Sequence, residues 1–92
     1  MSFEGPITEE SICLWLIQAV ARYVRVSASI VKPSTAFEEV GLGSMAAVTL
    51  SAEMSDALGI EVDPLLTWEH PTIGEAARAI AQGIALARPP GL

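Results

Sequence analysis

The segment Phe37-Glu38-Glu39-Val40-Gly41-Leu42-Gly43-Ser44-Met45 places a hydroxyl behind two glycines and ahead of an apolar helical pattern. A serine at such a junction lies near unsatisfied helix N–H groups, which favour an attached phosphate. Gly41 and Gly43 permit a close approach that larger residues would hinder. The same hydroxyl could simply cap the helix, and spacing alone leaves both roles open. Other reactive residues offer less. Cys13, the only cysteine, sits among Ile12, Leu14 and Trp15 and reads as a small buried hydrophobe. His70, the only histidine, reads as a partly exposed side chain near a turn. Their spacing suggests no nucleophile–base pair, and no HExxH, GxSxG or P-loop is present. The carboxylates are scattered over helix surfaces and first turns. These patterns predict neither catalysis nor a metal centre.

Composition narrows the remaining classes. The chain has 92 residues, which suits one domain, and 51% of them are hydrophobic. That is too apolar for a disordered acidic tail. Eleven acidic against five basic residues give a net charge of −6, without the cationic surface that binds nucleic acid. No apolar run is long enough for a membrane span, and the N-terminus lacks the basic start of a secretory signal. A lone cysteine excludes an internal disulfide and a Cys-rich zinc site. The expectation is a cytoplasmic, monomeric protein.

Three helices must position Ser44. The first is expected over about Glu9 to Arg25, with Thr8 as N-cap and Ile12, Leu16 and Val20 on its apolar stripe. Val26 to Gly43 reads as a long loop, because Pro33 disfavours helix at Lys32. Ile30, Phe37, Val40 and Leu42 would pin that loop to the core, with a short helical turn around Ala36 to Val40. The second helix is expected from Ser44 as N-cap to about Leu58, stopped by Gly59. Its predicted buried positions are Met45, Val48, Leu50, Ala52 and Met54. At most one helical turn fits around Trp68. Thr72 and Glu75 form a capping box for the last helix, which carries Ile73, Ala76, Ala77, Ile80 and Ile84 and ends near Ala87. Pro89-Pro90-Gly91 would close it.

In this order the segments resemble an acyl carrier protein domain of the modular polyketide synthase type. The resemblance rests on Phe37, Val40-Gly41-Leu42 and Gly43-Ser44-Met45. It continues through Ala47-Val48, Leu50, Leu58-Gly59-Ile60, Pro64-Leu65-Leu66 and Trp68-Glu69-His70-Pro71-Thr72-Ile73. It covers about half the chain; residues 8 to 25 agree in pattern only. The resemblance implies an all-α, small four-helix bundle: three main helices, one short helix and a long loop between helices 1 and 2. One carrier domain would span 1–92, with an ordered core over about 8–87 and flexible ends. It further implies that Ser44 receives 4′-phosphopantetheine from coenzyme A through a phosphopantetheinyl transferase. Acyl or polyketide intermediates would then ride as thioesters to a ketosynthase, acyltransferase or other synthase enzyme. A peptidyl carrier and an unmodified helical interaction module are the alternatives. Two departures bear on recognition. Gly43 stands where the family has Asp, and few charges lie beside Ser44, so partner contact through Leu42, Met45 and Ala46 is expected. Trp68 and Glu69 could also contact partners, unless Trp68 packs its short turn against the core.

Overall fold

Thr8 opens the first helix through a reciprocal cap. The computed structural model describes residue 3 and residues 5–87, and α1 spans Glu9–Val24. Thr8 Oγ1 accepts from the Ser11 N–H at 3.1 Å, while the Thr8 N–H donates to Ser11 Oγ at 2.8 Å. The expected helix included Arg25; instead Arg25 turns left-handed at φ 59° and ψ 47°, ending α1 one residue earlier. The second helix, α2, spans Ser44–Leu58. Gly59 ends it at φ 69°, a conformation glycine adopts without steric cost, and donates its N–H to the Ser55 carbonyl at 2.9 Å. A single turn, α3, spans Leu66–Glu69 and is followed by α4, Ile73–Ala87. Thr72 and Glu75 exchange 3.2 Å backbone–side-chain hydrogen bonds at the start of α4, the predicted capping box. The result is the expected all-α bundle of three long helices and one short one.

The core forms where α1 lies against α4. Ile12, Leu16 and Val20 from α1 are fully buried, as are Ile73, Ala76 and Ala77 from α4. The alanines let the helix backbones approach closely. Leu50 and Met54 bring α2 into the same cluster. Phe3 also packs there, its ring stacked 5.8 Å from that of Trp15. Of the ends expected to be flexible, 1–7 and 88–92, residues 1, 2, 4 and 88–92 lie outside the described residues, and with them the Pro89-Pro90-Gly91 stop.

Two expectations about burial need correction. Met45 is 86% exposed and Val48 50% exposed, and Ala52 is exposed as well. The buried face is Ala47, Leu50, Ser51 and Met54, the i, i+3, i+4, i+7 series of one helical face. Because α2 is apolar on several sides, periodicity offered competing stripes. Ser51 broke the correct one by its polarity, yet its hydroxyl is satisfied by donating to the Ala47 carbonyl at 3.1 Å. In the long loop, Ile30 is 59% exposed and its neighbour Val31 is buried. A 3-10 turn over Ala28–Ile30 shifts the inward position by one residue.

The face assignment predicts unequal costs along α2. Met54→Ala should lower stability by about 2–5 kcal/mol, the usual loss for truncating a buried Met. Met45→Ala should stay within about 0.5 kcal/mol. Urea denaturation of both variants checks this; equal losses would refute the assigned face.

Candidate functional site

Backbone hydrogen bonds to the start of α4 fix the loop that leads to Ser44. Gly74 donates to the Pro33 carbonyl at 2.8 Å, Ile73 to Thr35 at 3.1 Å, and Phe37 to Pro71 at 2.9 Å. Gly74 suits this approach: a Cβ there would stand 3.1 Å from the Pro33 oxygen, a tight contact. The tie places Phe37 in the core, with Val40 and Leu42 packed partly against it. The expected helical turn over Ala36 to Val40 is a pair of hydrogen-bonded turns instead. Glu39 donates to Ala36 at 3.1 Å, and Gly41 to Glu38 at 3.0 Å. Gly41 then reverses the chain at φ 81° and Leu42 returns its N–H to the Phe37 carbonyl at 3.1 Å.

Gly43 and Ser44 are therefore delivered on a tethered approach, but their roles differ from expectation. Ser44 is not the N-cap. Gly43 has the extended conformation of a cap, φ −72° and ψ 164°, and its carbonyl accepts the Ala47 N–H at 2.9 Å. Ser44 is the first helical residue. Its side chain is exposed, and no hydrogen bond among the described residues engages its hydroxyl. The capping role proposed for that hydroxyl is thus removed by geometry.

Ser44 lines a groove of about 440 Å³ walled by Phe37, Leu42 and Ala47 on one side and Thr67 and Trp68 on the other. The walls are mainly apolar, with Glu38 at the edge. The Trp68 ring is 72% exposed, so it does not serve to pack α3 onto the core. Around the groove mouth Met45 stands in solvent, and the sequence Ser44 to Ala52 carries no charge.

The remaining candidates lie elsewhere. Cys13 lines a groove between α1 and the start of α4, beside Pro33 and Ala77. Burial pushes its thiol above the ordinary value, and the nearby Glu9 carboxylate raises it further. His70 ends α3 and lines different grooves, with Arg78 in one and Val62 in another. Neither groove contains Cys13. Among the described residues no cluster of His, Cys, Asp and Glu is arranged to hold a metal ion. No helix among them is long and apolar enough to cross a membrane. Sequence reading missed the cluster of Arg22, Tyr23 and Glu53. The Tyr23 hydroxyl donates to Glu53 Oε1, while Arg22 Nη2 donates to Oε2 at 3.2 Å. Burial raises the Tyr23 pKa, with further upward contributions from its hydrogen bond to Glu53 and from that carboxylate's charge. This cluster clips α1 to α2 and lies on residues 31 apart in sequence, where local periodicity carries no signal.

Comparison with known proteins bears on the chain as a whole. A family model described as the phosphopantetheine attachment site matches residues 14–80. One component of the phenolphthiocerol/phthiocerol polyketide synthase of Mycobacterium tuberculosis is 37% identical over 67 residues, 73% of this chain. The match covers only 4% of that much longer relative. A free-standing peptidyl carrier protein from Acinetobacter baumannii superimposes with a TM-score of 0.81 at 25% identity, covering 86% of this chain and 99% of that one. An acyl carrier protein from Anabaena, with a variant phosphopantetheinylation-site sequence, gives a TM-score of 0.76 at 28% identity. Coverage there is 89% of this chain and 93% of the other.

The burial of Cys13 predicts a sluggish thiol. The thiolate is the reactive form, so a raised pKa lowers its share at neutral pH. Alkylation by iodoacetamide followed against pH should be slower than for a cysteine in an unstructured peptide, with a midpoint at higher pH than the peptide's. A midpoint at or below the peptide's would contradict the assigned environment.

Proposed function

The chain belongs to the phosphopantetheine attachment-site family, and on that premise we propose an acyl carrier of polyketide assembly with Ser44 as the attachment residue. Members of this family are carriers rather than enzymes and hold 4′-phosphopantetheine covalently. The observation that supports Ser44 most directly is its position. Its hydroxyl is exposed at the first residue of α2, is not used as a cap, and opens beside a groove. The residues present suit the group. Gly43 adds no side chain against an incoming phosphate, and the N–H groups of the first helical turn lie nearby for its charge.

Attachment requires Ser44 Oγ to form a bond to the pantetheine-side phosphorus of coenzyme A. The phosphoanhydride bond breaks, 3′,5′-ADP leaves, and the serine proton is released. A phosphopantetheinyl transferase with magnesium supplies the catalysis. Once attached, the group supplies a terminal thiol that holds an acyl chain as a thioester. This chain's contribution is mechanical: the tied loop and α2 hold the attachment point, while tethering keeps cargo at high effective concentration for partner enzymes. Residues 1–92 would form one carrier domain, serving a ketosynthase or acyltransferase whether free-standing or joined to them.

The polyketide reading is supported by the likeness to a polyketide synthase; the structural likeness to a peptidyl carrier makes an amino-acid cargo the second reading. In either case partner contact at α2 is apolar. The helix offers Met45 and Val48 rather than charge near Ser44, and Glu53 is engaged with Arg22 and Tyr23.

Incubation with coenzyme A and a broad-specificity transferase should add one phosphopantetheine by intact mass, and Ser44→Ala should abolish the gain. No addition with several transferases would refute the attachment role. The apolar contact predicts a second outcome. Glu53→Gln with Asp56→Lys should change acyl transfer to the arm less than twofold, whereas Met45→Glu should reduce it at least tenfold. Loss confined to the charge variant would reverse the assignment.

A further inference from the structure

The beginning of α2 differs from the other long helices in a way that concerns its modification. At α1, Thr8 and Ser11 cap the helix and Glu9 and Glu10 occupy the first turn. At α4, Thr72 and Glu75 do the same work. At α2, Gly43 supplies no side-chain acceptor and the first turn has no acidic residue. The N–H groups of Ser44, Met45 and Ala46 therefore have no intrahelical partner, and no acidic residue of that turn offsets the positive end of the helix dipole. The attachment residue is the first residue of that same turn.

We propose that the phosphodiester on Ser44 completes the N-terminal cap of α2, so that modification itself stabilises the carrier fold. The inference rests on the attachment reading above. The anion is specified by the family's covalent chemistry, and the helix end determines only what the anion does once it is there. A phosphate on the N1 oxygen brings acceptor oxygens and negative charge within reach of unpaired donors, where both effects are favourable. An Asp at position 43 would accept one of those N–H groups itself and place a second negative charge beside the phosphate. Gly43 leaves the position to the modification. The unmodified protein then has a weakly held start to α2, next to the surface a partner must read. The modified protein has a fixed one. A carrier built this way reports whether it has been modified through the order of its first helical turn.

Separate measurements distinguish this effect from arm attachment as such. Without any transferase, Ser44→Glu should melt about 2–6 °C above Ser44→Gln, since one charge near a helix start is worth a fraction of a kcal/mol to about one. In the Gly43→Asp background that difference should shrink or change sign. The modified wild-type protein should melt above the unmodified one by a similar amount, with slowed deuterium exchange at Met45 to Val48. Added salt should reduce the gain. A Trp68→Ala variant should keep it, because the groove does not supply the cap. Equal melting of the Glu and Gln variants would overturn the inference while leaving attachment intact. A gain on modification that persists undiminished in Gly43→Asp, or disappears in Trp68→Ala, would assign the stabilisation to arm packing and overturn it too. Absence of a mass gain would instead overturn the attachment reading and, with it, this consequence.

Discussion

The backbone tie between the loop and the start of α4 is the constraint on which the site depends. An 18-residue stretch from Val26 to Gly43 would otherwise be free to wander, at a large cost in chain entropy once ordered. Hydrogen bonds from Phe37, Ile73 and Gly74 to the 71, 35 and 33 carbonyls stop it near its middle. The capping box at Thr72 and Glu75 holds the other half of that junction. With Phe37 locked in the core, few residues remain before α2, and Gly41 turns them toward the helix start. The position of Ser44 is thus set by α4, although α4 contributes nothing to its chemistry.

This arrangement explains how the start of α2 comes to expose apolar side chains to solvent. Met45 and Val48 are excluded from the core because Ala47, Leu50, Ser51 and Met54 already fill the inward face. Exposed apolar side chains carry a cost in solubility that scattered surface residues do not. Here they surround the proposed attachment residue, together with Trp68 on α3. The first nine residues of α2, Ser44 to Ala52, carry no charge, and Glu53 beyond them is occupied in holding α1 to α2. Overall acidity therefore describes the whole molecule better than it describes the face around Ser44.

Helix existence and most helix ends, to within a residue, were legible in the sequence because their signals are local. Thr8, Gly59 and the Thr72–Glu75 pair act within a few residues, and the structure places helix limits there. The inward face of α2 was not legible. Where apolar residues occur on most sides, the choice of face depends on what the helix meets, and a serine in the buried series masks the pattern further. The Val31 anchor was hidden for a related reason: the 3-10 turn before it shifted the register by one. The tie to α4 left only a trace, a glycine beside the capping threonine whose role depends on Pro33 far upstream.

The site shows the same division between local and long-range information. The motif around Gly41, Gly43 and Ser44 was visible as residue types, but its two readings differed only in which residue has the extended backbone of a cap. That distinction is a matter of two torsion angles, and composition is silent on it. Once Gly43 is the cap, the serine hydroxyl is released from local structure and becomes available to chemistry. The same substitution that separates this chain from the Asp-Ser pattern of the carrier family therefore has a structural consequence beyond recognition. It exchanges a side chain that would hold α2 at all times for a position at which the modification can do so.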